Sequence, residues 1–270
     1  MSTLDRLFAE AQDLEDYARR YAQYISQLLA SLDCAAIKRV GERLEAARHA
    51  NATVFILGNG GSASTASHFA NDLGFGPRRL GGATYRAISL TDNLSALTAI
   101  ANDRHYDAVF VEQLKTLLQP GDLVLAISAS GNSPNVLLAA QYARTQQAVV
   151  VAFTGFGGGQ LVDLADDVVH VSTPHGDYGP VEDVHMFLDH LLTSYLARFT
   201  ARAAAAASAS ASTTPGHSRW ADGERVPGEA LRVRPTGPRG AKVASAPMDG
   251  AAGTDDDETC EPASGLPIAP

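Results

Sequence analysis

The chain has 270 residues and a formal charge of −9, from 21 Lys plus Arg against 30 Asp plus Glu. No run of basic residues is dense enough to track a nucleic-acid backbone, which argues against direct nucleic-acid binding, although backbone N–H groups and hydroxyls can still cradle an anion locally. No stretch reaches 18 uninterrupted apolar residues and the start, MSTLDRLFAEAQDLEDYARR, lacks the apolar segment of a secretory signal, so a cytoplasmic protein with no membrane contact is expected.

Two composition shifts bound the fold. Eight of the 13 prolines follow residue 200, where Trp220 is the sole aromatic, whereas every Phe and Tyr precedes it. Residues 1–200 therefore read as one domain, and 201–270 as a low-complexity, disordered tail with no periodic apolar face to offset the entropy of ordering it. The alanines at 203–207 let the last helix run a few residues into that tail. Cys34 and Cys260 lie in segments of different character and make neither a metal pair nor a disulfide framework, which suits a reducing compartment.

Apolar and aromatic residues recur at helical spacing over 4–32, predicting a long helix with room for one break, and a second helix follows from Cys34 or Ala35 to about His49. From Thr53 the pattern changes. TVFILG is a continuous apolar, β-branched run ending in glycine, the mark of a strand buried on both faces, and 62–73 then reads as a helix. The strand, turn, helix unit recurs at YRAISL (85–90), DLVLAISAS (122–130) and AVVVAFTG (148–155). A last strand, VVHVS (168–172), precedes a helix over about 181–199. The alternation predicts an α/β fold with a five-stranded, mostly parallel sheet, right-handed crossovers and helices on both faces.

Two loops leave predicted strands and open predicted helices, GNGGSAS (58–64) and SASGNS (128–133). Open α/β sheets bind ligands at the carboxyl ends of their strands. Gly58, Gly60 and Gly61 permit tight turns and close approach, the following helix offers unpaired N–H groups, and Ser62, Ser128, Ser130 and Ser133 add hydroxyls. A terminal phosphate monoester fits such a cradle. A dinucleotide does not: the first acid past the next strand, Asp92, lies 92 − 60 = 32 positions beyond Gly60, where about 20 is needed, and no P-loop lysine is present.

His68 and Asp72 are four apart on the helix leaving the first loop and so share a face. The terminal helix offers Glu182, Asp183, His185, Asp189 and His190. Glu182 and His190 are two turns and about 80° apart, so they converge only on an object between their directions. Two His and two carboxylates suit Zn²⁺ or another divalent ion. Aldose–ketose conversion needs a base to move a proton between adjacent carbons and an acid or metal to polarise the carbonyl. Asp72 and His190 are the expected catalytic pair.

The segments GNGGSASTASHFANDL, SLTDNLSALTAIANDRHYDAVFVEQLKTLLQPGDLVLAISASGNSPNV and AFTGFGGGQLVDLADDVVHV, with the terminal histidine helix, resemble sugar isomerase (SIS) domains of the bacterial phosphoheptose isomerase group over roughly 5–199. The resemblance implies a three-layer αβα sandwich, a homotetramer with sites at subunit interfaces, zinc in several members, and conversion of sedoheptulose 7-phosphate to D-glycero-D-manno-heptose 7-phosphate. It places Ser62, Ser128, Ser130 and Ser133 at the phosphate, with Asn59, Gly60, Gly61 and Asp92 around the substrate. His68, Asp72, Glu182 and His190 take the metal or catalytic places. Four positions depart from the family pattern: Asp72 stands where glutamate is usual, Glu182 for glutamine, Gly76 for an arginine that Arg78 could replace, and Ala129 for threonine. The same resemblance also embraces non-catalytic relatives that sense phosphosugars or bind the replication initiator.

Overall fold

A computed structural model describes residues 2–212. Of the tail 201–270 that the sequence marks as disordered, residues 213–270 lie outside the described residues. The long N-terminal helical pattern divides into α1 (Thr3–Glu10) and α2 (Leu14–Ala30), because the Asp13 carboxylate accepts from Asp16 N and caps a new helix. α3 (Cys34–His49) follows, capped by Asp33.

The α/β part runs β1 (Thr53–Gly58), α4 (Gly61–Arg79), β2 (Arg86–Ser89), α5 (Leu94–Asp103), a 3₁₀ turn at Tyr106–Ala108, α6 (Val111–Leu117) and β3 (Leu123–Ser128). It continues through α7 (Pro134–Thr145), β4 (Val149–Phe156), α8 (Leu161–Leu164), β5 (Asp167–Ser172) and α9 (Tyr178–Ser212). The five strands make one sheet in the order β2-β1-β3-β4-β5, every neighbouring pair parallel. The expected α/β architecture with N-terminal helices is observed, with no antiparallel strand in the sheet.

β1 and β3 are buried at every position, as their unbroken apolar runs require. Their side chains divide the core. Val54 and Ile56 of β1 pack with Leu44, Phe69, Leu73, Leu188 and Leu192 on the face covered by α2, α3, α4 and α9. Phe55 and Leu57 pack on the other face with Phe110, Leu114, Val136 and Ala139. Successive residues thus serve opposite layers, which makes the three-layer sandwich.

Two elements outrun their sequence signals. α4 extends past Leu73 to Arg79 despite Pro77 in its last turn, which has no N–H to donate to the Leu73 carbonyl. α9 continues to Ser212 through an alanine-rich segment, twelve residues beyond the expected domain boundary at 200.

Candidate phosphate cradle and metal cluster

In the strand order 2-1-3-4-5, α4 leaves β1 toward one face of the sheet and α7 leaves β3 toward the other. The crevice at such a reversal is the ligand site of doubly wound folds. Both serine- and glycine-rich loops open there. Gly58 lets them close on each other: a Cβ on it would lie 2.7 Å from Ser62 Cβ and 2.8 Å from the Ile127 carbonyl oxygen. Gly60, at φ +55°, makes the turn into α4.

A reciprocal amide pair ties the loops together. Asn59 Nδ2 donates to Asn135 Oδ1, and Asn135 Nδ2 donates to Asn59 Oδ1, both at 2.9 Å. The Tyr106 hydroxyl donates to the same Asn59 oxygen at 3.0 Å. Asn59 therefore braces the crevice. Asn135, buried at the start of α7, was not singled out by the sequence because its partner is 76 positions away.

In the second loop the Ser128 and Ser133 hydroxyls lie 3.5 Å apart. Ser128 Oγ accepts from Gly131 N, and Ser130 Oγ accepts from Asn132 N. Gly131, at φ +63°, abuts Gly158 so closely that any side chain there would overlap the Gly158 carbonyl oxygen. Ser62 and Ser128 are buried, whereas Ser130 and Ser133 are partly open. Asp92 sits on the β2 side of α4, where it accepts from Ser67, beside a cavity of about 550 Å³ lined also by Asn71, Phe75 and Ser89.

α4 and α9 lie side by side and run in the same direction, since Glu182 meets Gly61 and His190 meets His68. A methyl group on Gly61 would overlap the Glu182 carboxylate, so that glycine admits the acid to the first turn of α4. Burial, and less strongly Asp183, push the Glu182 carboxyl above its usual range.

Further along the helix pair, one donor atom from each of His68, Asp72, Asp189 and His190 lies within 4.8 Å of all the others. The His68 and His190 Nε2 atoms are 3.2 Å apart, and Asp72 Oδ2 is 3.5 Å from His68 Nε2. Asp189 is fully buried and neither carboxylate oxygen has a hydrogen-bond partner. Burial first, and the neighbouring Asp72 charge second, raise its carboxyl to about 8. An orphaned buried carboxylate beside two imidazoles fits a bound divalent cation, which would compensate the charge.

The structure thus brings together His68, Asp72 and His190 from the expected metal set. Glu182 stands apart, eight residues before His190 and so about 12 Å along the helix axis. Asp189 takes the place beside the histidines. Its position was readable as one of several acids on α9, but only the register of α4 against α9 selects it.

Comparison with known proteins gives the family. The family described as SIS domain matches residues 16–155. A Mycobacterium tuberculosis protein named phosphoheptose isomerase is 43% identical over 165 residues, covering 60% of this chain and 81% of the relative. The solved structure of a Neisseria gonorrhoeae phosphoheptose isomerase aligns at 31% identity with a TM-score of 0.56, over 66% of this chain and 91% of that one. One from Francisella tularensis aligns at 25% identity with a TM-score of 0.61, over 73% of this chain and all of that one. The chain belongs to the SIS domain family, in its phosphoheptose isomerase group.

Proposed function

We propose that the protein is a cytoplasmic phosphosugar aldose–ketose isomerase that converts sedoheptulose 7-phosphate to D-glycero-D-manno-heptose 7-phosphate. The observation that carries the reading is the pairing, in a chain of this family, of a serine- and glycine-lined crevice with an Asp/His cluster on the helix that leaves it. The crevice holds the phosphate through Ser62, Ser128, Ser130 and Ser133, with Gly60 and Gly61 allowing close backbone approach. Asn59 keeps the two loops in register, and Asp92 faces the sugar.

Asp72 takes the proton from one carbon and returns it to the next, through an enediol(ate). His190 moves the proton on the oxygens. A divalent ion such as Zn²⁺, held by His68, Asp72 and His190, would when bound polarise the carbonyl itself and replace His190 in that step. Asp72 carries one methylene less than glutamate, so its reach depends on the close approach of α9.

The site is composite. Asp72 lies ten residues beyond Ser62 on α4, about 15 Å along the axis. In this reading the crevice of one copy works with the cluster of another, which bridges that distance. A homotetramer supplies that arrangement and covers large apolar side chains left open on the single chain, among them Phe8, Leu14, Phe75 and Tyr195.

Purified protein is expected to interconvert sedoheptulose 7-phosphate and its aldose. Asp72→Asn and His190→Ala should each lower kcat by a factor of about 100 or more while the fold, followed by circular dichroism, persists. Unchanged rates in both would remove the assignment. Absence of turnover across phosphosugars of different length would favour the phosphosugar-sensing or adaptor relatives instead.

A further inference from the structure

The amide pair between the two loops has a direction, and a backbone group sets it. Val136 N–H donates to Asn135 Oδ1 at 3.0 Å. The reversed amide would turn an NH₂ group against that N–H, so Asn135, buried at the start of α7, has one orientation only. Asn135 Oδ1 then accepts from Asn59 Nδ2, and Asn135 Nδ2 donates to Asn59 Oδ1, both at 2.9 Å. The orientation of Asn135 thereby dictates that of Asn59.

The Tyr106 hydroxyl completes the relay. It lies 3.0 Å from Asn59 Oδ1, an atom that can only accept, so its one proton is given to Asn59. Tyr106 is 58% exposed, yet the 3₁₀ turn it opens is anchored by Ala108, Val109 and Phe110, all buried, and packs on α7, the helix of Asn135. The core therefore sets the place of the phenol, although water reaches it.

What remains gives each group a single role. Asn59 has used both lone pairs of Oδ1 and one N–H, and keeps one N–H to donate. Tyr106 has given its proton and keeps only the ability to accept. A phosphate or carbonyl oxygen accepts, and so suits Asn59. A sugar hydroxyl has a proton to give, and so suits Tyr106.

We propose that Tyr106 is a substrate-binding residue of the crevice that accepts from a sugar hydroxyl, and that Asn135 is the positioning residue that keeps the Asn59 amide turned as a donor. The inference rests on the reading of this crevice as a phosphosugar site and adds to it a means of telling the sugar from its phosphate.

The test titrates the full chain by calorimetry with two probes, inorganic phosphate and sedoheptulose 7-phosphate. Tyr106→Phe removes one hydroxyl from an exposed side chain and leaves both Asn135 bonds to Asn59 in place. Its phosphate affinity should stay within a factor of about 2 of wild type, whereas the phosphosugar should bind more weakly by a factor of about 5. In turnover the loss should raise KM more than it lowers kcat. Asn135→Ala frees the Asn59 amide and should weaken both probes by a factor of about 5 or more. Asn135→Ser provides the same comparison should the alanine variant not fold. Any other pattern in Tyr106→Phe, unchanged affinities in the Asn135 variant, or wild type that binds neither probe would overturn the proposal. Wild type that binds both probes and shows the expected losses, yet turns over no phosphosugar, would keep the relay and lose the isomerase reading.

Discussion

His185 and His190 lie five positions apart on α9 and meet opposite environments. His190 is exposed at the cluster, whereas His185 is fully buried against Phe153, its Nε2–H donating to the Thr154 carbonyl at 3.4 Å and its Nδ1 without a partner. Burial depresses the His185 imidazole to about 4, from an ordinary 6.5. The unfolded chain then takes up a proton near pH 6.5 that the folded core refuses until about pH 4. The folded state keeps the full benefit above 6.5 and loses it as pH falls through that window, by at most about 3 kcal/mol. In His185→Gln, which retains a donor for Thr154, urea-unfolding free energies measured from pH 7 to 4 should decline less steeply than in wild type. Parallel slopes would show that His185 does not set the acid limb. At this scale the sequence was informative where spacing is local: His68 and Asp72 follow from an i, i+4 pair. Which acids of α9 lie beside the histidines was not, because several share one helix and only contact with α4 separates them.

α1 and α2 are joined to the start of α9 by a buried acid. Asp177 accepts from Thr3 N at 3.2 Å, Leu4 N at 3.3 Å and the Tyr24 hydroxyl at 2.9 Å, thereby satisfying orphan donors at the start of α1. Tyr21 adds a bond to Asp183 at 2.6 Å, on the first turns of α9. Asp177→Ala would leave three donors without their acceptor, a loss of about 2–4 kcal/mol. Amide exchange should rise first and most in α1 and spare β1 and β3. Unaltered α1 protection in the variant would mean that apolar packing alone holds the helix. This attachment was invisible in the sequence, where periodicity reports that 4–32 is helical but not what its ends meet. Strands were more legible, since a central parallel strand must be apolar at every position, as 53–58 and 123–128 are. The edge strand β2, with Arg86 and Ile88 exposed, is shorter than its apolar pattern implied.

At the scale of the whole molecule, the β1/β3 reversal fixes where the serine- and glycine-rich crevice opens, and the length of α4 fixes how far the His/Asp cluster lies from it. The first was foreshadowed by two similar loops in one sequence. The second was not, because a motif read along a chain looks contiguous even when a helix spreads it over several turns. If one site takes its crevice from one copy and its cluster from another, defects in the two parts must complement. Ser130→Ala damages the crevice and Asp72→Asn damages the cluster, so each pure variant should be inactive or nearly so. When the two are unfolded together in equal amounts and co-assembled, a site is intact only when its crevice comes from the Asp72→Asn chain and its cluster from the Ser130→Ala chain. Random assembly makes about a quarter of sites so. Turnover of the mixture should therefore rise to about a quarter of the wild-type rate per site, whereas a site built within one chain would contain a defect in every copy and recover nothing. The proportion recovered thus measures directly whether the distance along α4 is spanned by the substrate or by the assembly.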